Sequence, residues 1–151
     1  MRPGVRIAID PGAVRVGVAR SDPRGTLAVP LLTLKRGADD LTAIAALVRE
    51  HEAIEVLVGH PINLRGEPGP AAAAAAAYAR ELVPLVAPTD VRLVDERLST
   101  RAAQRQITEV GRKKGRARSV IDQAAAVNIL QHALDAELAT GNPAGTTVRT
   151  P

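Results

Sequence analysis

The sequence predicts an α/β protein built on a five-stranded mixed sheet in the order βββαβαβαα. Three observations carry that expectation. The first 35 residues hold three short apolar runs joined by tight turns. From residue 39 the apolar spacing changes to the helical period. The apolar runs that follow are then separated from one another by helix-length segments. A meander followed by strand–helix alternation makes one side of the sheet antiparallel and the other parallel. Right-handed crossovers then set strand four beside strand one.

Arg6 to Asp10 forms strand one, and Gly12 to Arg15 makes a tight connection to strand two, Val16 to Arg20, whose Val16 and Val18 share a face. Asp22-Pro23-Arg24-Gly25 is a turn, and Leu27 to Lys35 is strand three. Asp39 to His51 carries Leu41, Ile44, Ala45, Leu47 and Val48 at helical spacing. Ile54 to Gly59 is strand four. The Asn, Gly and Pro of residues 62–70 make a loop. Ala71 to Val86 opens with seven alanines, the best helix former, and its Tyr78, Leu82 and Leu85 give an apolar stripe. Pro84 and Pro88 are expected to end that helix. Val91 to Asp95 is strand five, Ser99 to Val110 a helix, Gly111 to Arg118 a basic loop, and Ser119 to Leu138 the final helix. One domain covers 1–139, and 140–151, with little to bury, is expected to be a loose tail.

The chain has 151 residues, enough for one domain with a core. No apolar run reaches the ~18 residues of a membrane span. The start, Met1-Arg2-Pro3-Gly4, has no apolar segment of a signal peptide, so a cytoplasmic location is expected. Cysteine is absent, which excludes disulfides and thiolate metal sites. The net charge is +4, and arginine outnumbers lysine 17 to 3, a balance that favours an anionic partner. Tyr78 is the one aromatic residue in 151. A base-stacking platform is therefore excluded, and any nucleic acid must be held through phosphate and shape.

The stretch "IAIDPG", Ile7 to Gly12, begins as a buried strand and ends on a carboxylate. Burying a charge without a partner is costly. Either Asp10 serves the Pro-Gly turn, or it sits at a strand end to hold a cation. Asp95-Glu96 ends strand five, and Asp122 lies near the start of the last helix. In an open α/β sheet the carboxyl ends of parallel strands share one edge, where sites are found. Carboxylates converging there suit a hard divalent cation, Mg²⁺ or Mn²⁺, and two such ions suit phosphodiester cleavage. Each position also has a structural reading. Asp95 could pair with Arg92 or Arg97. Ser119 and Asp122 fit a capping box, with Ser119 at the N-cap. His60 follows a buried strand and fits a structural role better than a catalytic one, while His51 and His132 fit solvated helix positions.

Four blocks resemble those of the YqgF (RuvX) family. "DPGAVRVGVARSD", Asp10 to Asp22, is similar to its D-x-G-x-x-R-x-G-V-A signature. "VGHPINLRG", Val58 to Gly66, "VDERLST", Val94 to Thr100, and "DQAAAVNILQHAL", Asp122 to Leu134, are similar to the remaining three, in the same order. The blocks cover nearly all of residues 6–138. The resemblance implies a ribonuclease H-like fold and a metal-dependent nuclease that matures the 5′ end of pre-16S ribosomal RNA. The alternative it implies is a Holliday junction resolvase acting on branched DNA. It maps the acidic positions onto Asp10, Glu96 and Asp122, with Asp95 adjacent, and marks Arg15, Arg97 and Asn63 as further site residues. His60 departs from the pattern, standing where a leucine is usual.

Between Arg97 and Arg118 lie eight basic residues and one acid, Glu109. Arg97, Arg101 and Arg105 recur every four residues and share a helix face, while Arg112, Lys113, Lys114, Arg116 and Arg118 make a cationic stretch before Asp122. Alone, the segment fits a solvated helix. Between two acidic positions it reads as a phosphate track. The partners expected are RNA, as a ribosomal precursor particle, or branched or single-stranded DNA. No membrane is expected, and with no apolar helix face left over, the protein is expected to be a monomer or weak homodimer. A non-enzymatic assembly factor using only the basic face is a further alternative. An actin-like nucleotide-binding module would need two lobes and a far longer chain.

Overall fold

The computed structural model describes residues 2–61, 65, 67, 69–95 and 117–149, with side chains of the last helix described from residue 123 onward. The strands are β1 (Arg6–Pro11), β2 (Arg15–Ser21), β3 (Ala28–Lys35), β4 (Glu55–His60), β5 (Asp90–Asp95) and β6 (Thr146–Thr147). The described helices are α1 (Asp40–Glu50), α2 (Pro70–Val86) and α3 (Ala117–Thr140). The sheet order is β3-β2-β1-β4-β5-β6. β1 pairs antiparallel with β2 and parallel with β4, so strand four lies beside strand one as the crossover rule requires. The helix expected over 99–110 lies outside the described residues.

The pleat sends alternate side chains to two cores. Ile7, Ile9, Val16, Val18, Val56, Val58 and Val91 face α1 and α2, where Ile44, Val48, Tyr78 and Leu82 meet them. Ala8, Ala19, Leu57 and Val94 face α3, covered by Ala126, Ile129, Leu130, Ala133 and Leu134. The alanines on this second face let a single helix lie close to the sheet. Ile129 and Leu130, both fully buried, each contribute about 1.5–3 kcal/mol by burial.

α2 departs from its expected stripe. Leu85 is 45% exposed, and the buried line runs through Ala75, Tyr78, Ala79, Leu82 and Val86. Pro84 does not end the helix, which runs on to Val86. So near the C-terminus, the lost N–H bond is tolerated. Tyr78 is spent on helix packing. Its hydroxyl donates to Asp40 Oδ2 at 2.7 Å, tying α2 to α1, and its ring lies 4.7 Å from the Arg36 guanidinium. Burial, reinforced by the Asp40 bond, pushes the Tyr78 hydroxyl well above its usual range.

Two further expectations are corrected. Ser119 is not an N-cap, because α3 begins two residues earlier, at Ala117, which removes the capping-box reading of Asp122. The tail is not loose between 144 and 148. β6 pairs antiparallel with β5, with Arg92 opposite Thr147 and Leu93 opposite Thr146, and gives the sheet its sixth strand. Arg92 donates to the Ala144 and Gly145 carbonyls at 2.7 and 2.8 Å and to Thr147 Oγ1 at 2.7 Å. The backbone N–H of Val148 donates to the Val91 carbonyl at 2.7 Å. Gly145, with a positive φ of 79°, lies so close to the Leu93 carbonyl that no Cβ fits.

At the end of the sheet where β1 starts, Arg6 is fully buried, and its guanidinium donates to Glu137 Oε2 at 2.8 Å. Arg2 joins Glu137 at 2.6 Å and Glu55 at 3.0 Å. This ionic cluster pins the C-terminal half of α3 beneath β1.

Candidate active site

β1, β4 and β5 are parallel, so Pro11, His60 and Asp95 finish on one edge of the sheet. Asp10 stands half-buried one residue from the end of β1. The turn that follows it is fixed locally. Gly12 N–H donates to the Arg15 carbonyl at 2.9 Å, and a Cβ on residue 12 would stand 2.7 Å from that same oxygen. Glycine is therefore required, and the turn returns the chain as β2 beside the carboxylate.

The register places Asp10 in a row that crosses the sheet. Asp10 is opposite Gly17 on β2, and Gly17 is opposite Thr33 on β3. One residue beyond the Ile9–Val58 pair, Asp10 is level with Gly59 of β4, which pairs with Val94 of β5. Asp10 is thus flanked on both sides by residues with no side chain. Strands lie ~4.8 Å apart, so this row presents one carboxylate across a width of about 10 Å. A hydrated cation or a phosphate needs such clearance. These two glycines were not singled out as site residues in the sequence. Gly17 stands in the D-x-G-x-x-R-x-G-V-A signature and Gly59 in the second block, but what sets both against Asp10 is the register.

α3 covers the face on which Asp10 lies and runs antiparallel to β1. Glu137 meets Arg6 at the start of β1. Gln131 accepts from the Ala28 N–H at 2.9 Å. Gln123 Nε2 donates to Thr33 Oγ1 at 3.0 Å. Since Thr33 belongs to the row of Asp10, the backbone at residues 122 and 123 is level with that row. The fold therefore brings the Asp122 position to the edge where Asp10 stands, although the two are 112 positions apart in the sequence.

Asp95 ends β5 opposite His60. By the pleat it shares a face with Val91 and Leu93, which pack on the α1–α2 side, opposite to the face of Asp10. Val94 is on Asp10's face. Arg92, one of two arginines considered as a partner for Asp95, is instead bound to the 144–147 segment. Arg15 opens β2 at the same edge, paired with Lys35. Glu96, Asn63, Arg97, Arg101, Arg105, Arg112, Lys113, Lys114 and Arg116 lie outside the described residues, as do the side chains of Arg118 and Asp122. Among the described residues, no three Asp, Glu, His or Cys side chains form a cluster able to hold a metal.

A Gly17→Val substitution tests the clearance. The added side chain would stand beside Asp10 on the α3 face. The expected outcome is cleavage reduced by about a hundredfold or more, with the circular-dichroism spectrum preserved. Wild-type cleavage rates in that variant would show that the bare flank has no function.

Residues 4–136 match the family RuvX, described as Holliday junction resolvase. A protein of Thermobifida fusca named "Putative pre-16S rRNA nuclease" is 55% identical over 96% of both chains. One of the same name from a Nocardioides species is 52% identical, again over 96% of both. Among solved structures, Thermus thermophilus RuvC in complex with a Holliday junction substrate superposes with a TM-score of 0.58 at 17% identity, covering 95% of this chain and 99% of that one. That likeness assigns the ribonuclease H-like fold.

Proposed function

This chain belongs to the RuvX family and is a nuclease, a hydrolase of phosphodiester bonds, and we propose that its substrate is the 5′ end of pre-16S ribosomal RNA. The observation that carries the site assignment is the row through Asp10, with its two bare neighbours and the start of α3 level with it.

The chemistry of the donors fits a hard divalent cation, since Asp10 at the strand end offers carboxylate oxygens. Asp10, Glu96 and Asp122 would hold Mg²⁺ or Mn²⁺, as one ion or a pair. Bound there, the metal supplies a water activated for attack and neutralises charge on the phosphodiester. Val94, two positions before Glu96, lies on Asp10's face, which supports Glu96 over Asp95 as the ligand. The protein's own residues position the substrate. Arg15, at the head of β2, meets the phosphate beside the scissile one. Arg97, Arg101, Arg105 and the 112–118 stretch carry the backbone of the incoming strand, and Asn63 contributes from the loop after β4.

Recognition by phosphate and shape follows from the single aromatic residue. Tyr78 is 2% exposed and bound to Asp40, so no Phe, Tyr or Trp ring is left to stack a base. A nuclease of this kind takes its cleavage position from the particle that presents the RNA, which favours a ribosomal precursor over a free duplex. The reading locates the protein in the cytoplasm. Depletion in cells followed by mapping of 16S 5′ ends tests it, with 5′-extended 16S accumulating as the expected result. Normal ends after depletion, with paired symmetric nicks on four-way junctions by the purified protein, would assign the resolvase activity instead.

A further inference from the structure

Val14, Arg15, Thr33 and Lys35 line a groove of about 360 Å³ at the β2–β3 end of the edge that carries Asp10. We propose that this groove is a phosphate-binding subsite for the RNA backbone, with Lys35 as its cationic contact. The proposal deepens the nuclease reading above and rests on it.

The register fixes where the groove lies relative to the chemistry. Thr33 is in the row of Asp10, and Arg15 pairs with Lys35 two residues further toward the edge. The pleat puts Arg15, Gly17, Thr33 and Lys35 on one side of the sheet, the side of Asp10, because Thr33 meets Gln123 of α3 while Leu32 and Leu34 pack on the opposite core. Two strand spacings and two residues separate Lys35 from Asp10, about 12 Å across the sheet. A phosphodiester chain seated at Asp10 and continuing past β2 therefore reaches Lys35.

The two neighbouring cations at the end of β3 differ in use. Arg36 donates to the Gly12 carbonyl at 2.8 Å and stacks on Tyr78, so it holds the turn after β1. Lys35 is exposed, and its ammonium has no ion-pair partner among the described residues. Val14 is 61% exposed at the tip of the β1–β2 turn and forms an apolar shoulder over which a sugar can lie. Lysine binds phosphate as a point charge without a fixed geometry, which suits a reader of backbone rather than sequence. The subsite lies on the β3 side of Asp10, away from β5.

The absence of cysteine makes a chemical test available. Lys35→Cys removes the charge, and alkylation with bromoethylamine restores an ammonium on a side chain of lysine length at that one thiol. RNA affinity is measured against salt for the wild type, the Lys35→Cys variant and the alkylated variant. The expected result is a salt slope lower by about 0.7–0.9 in the variant, restored on alkylation, with melting temperature unchanged. A slope unaffected by the substitution, or lowered but not restored by the returning charge, overturns the subsite. The slope change is expected with RNA, and loss confined to DNA duplex overturns the assignment of RNA as occupant. The nuclease reading is judged separately, by cleavage with the wild type. Cleavage by the wild type with no Lys35 effect removes the subsite alone. A Lys35-dependent slope without wild-type cleavage keeps the subsite and removes the nuclease assignment.

Discussion

Asp10→Asn is expected to lower cleavage of an RNA substrate by about a hundredfold or more in either Mg²⁺ or Mn²⁺. The change keeps the side chain's shape and hydrogen-bonding reach and removes only its charge. Asp10 is on a sheet edge, half-buried, with glycine on both neighbouring strands, so packing has little to lose. Melting temperature should therefore hold within a few degrees. Loss of a direct metal ligand costs more than loss of a group supporting one, for which 10–100-fold is typical. Asp95→Asn is the matched comparison. It removes the same charge from the same edge, but on the face of Val91 and Leu93, and a smaller loss is expected. Cleavage by Asp10→Asn at the wild-type rate, at matched purity, would remove Asp10 from the site. Equal losses in both variants would point to the edge's overall charge rather than to a ligand.

The second large effect is at the far end of the sheet. Glu137→Gln is expected to destabilise the protein by about 3–5 kcal/mol, because it leaves the fully buried Arg6 guanidinium without its close anion. For a domain of this size that is a drop of about 10 °C in melting temperature. Arg6 has little slack to absorb the loss. Its Nε already has no hydrogen-bond partner among the described residues, and its ion pair with Glu55 is long, at 3.9 Å. The same cluster sets an acid limit. Burial by itself would raise the Glu137 carboxyl, but bonds from the Arg2 side chain and backbone, with the charges of Arg6 and Arg2, hold it below the usual range. A carboxyl lowered in the folded state contributes stability that is complete above the unfolded value, near 4.3, and is lost as pH falls through the folded one. Melting temperature of the wild type should be level above about pH 5 and fall in acid. Glu137→Gln should start lower and fall less steeply. A parallel pair of curves would mean that Glu137 does not carry the acid transition.

The meander and the place of strand four beside strand one were legible because each rule acts locally. Short turns in the first 35 residues force a meander, and helix-length segments force crossovers. The positions of Asp10 and Asp95 at strand ends were legible for the same reason. What the residues alone did not reveal depends on pairing between distant segments. Gly17 and Gly59 fall within the family blocks, but only the register sets both against Asp10. Arg6 reads as the polar start of a strand, and its burial is decided by Glu137, 131 positions away. β6 is two threonines, too short for any period, and Arg92 holds it in place through bonds to three residues of the tail. Lys35 had no signal of its own, since a lysine ending a strand is commonplace. It gains meaning only from sharing a face and a groove with residues of the Asp10 row.

The 144–148 segment also bears on how this protein behaves at high concentration. β5 carries Val91, Leu93 and Val94, and without β6 its outer N–H and C=O groups would stand open at the border of the sheet, a template for a strand from another molecule. Two threonines and the Val148 amide occupy that border, and Gly145 lets the chain come close enough to do so. A protein shortened at residue 140 would keep Asp10 and α3 but expose the border, and it should self-associate as its concentration rises. The last strand thus acts as a bumper, keeping each molecule's sheet from continuing into the next.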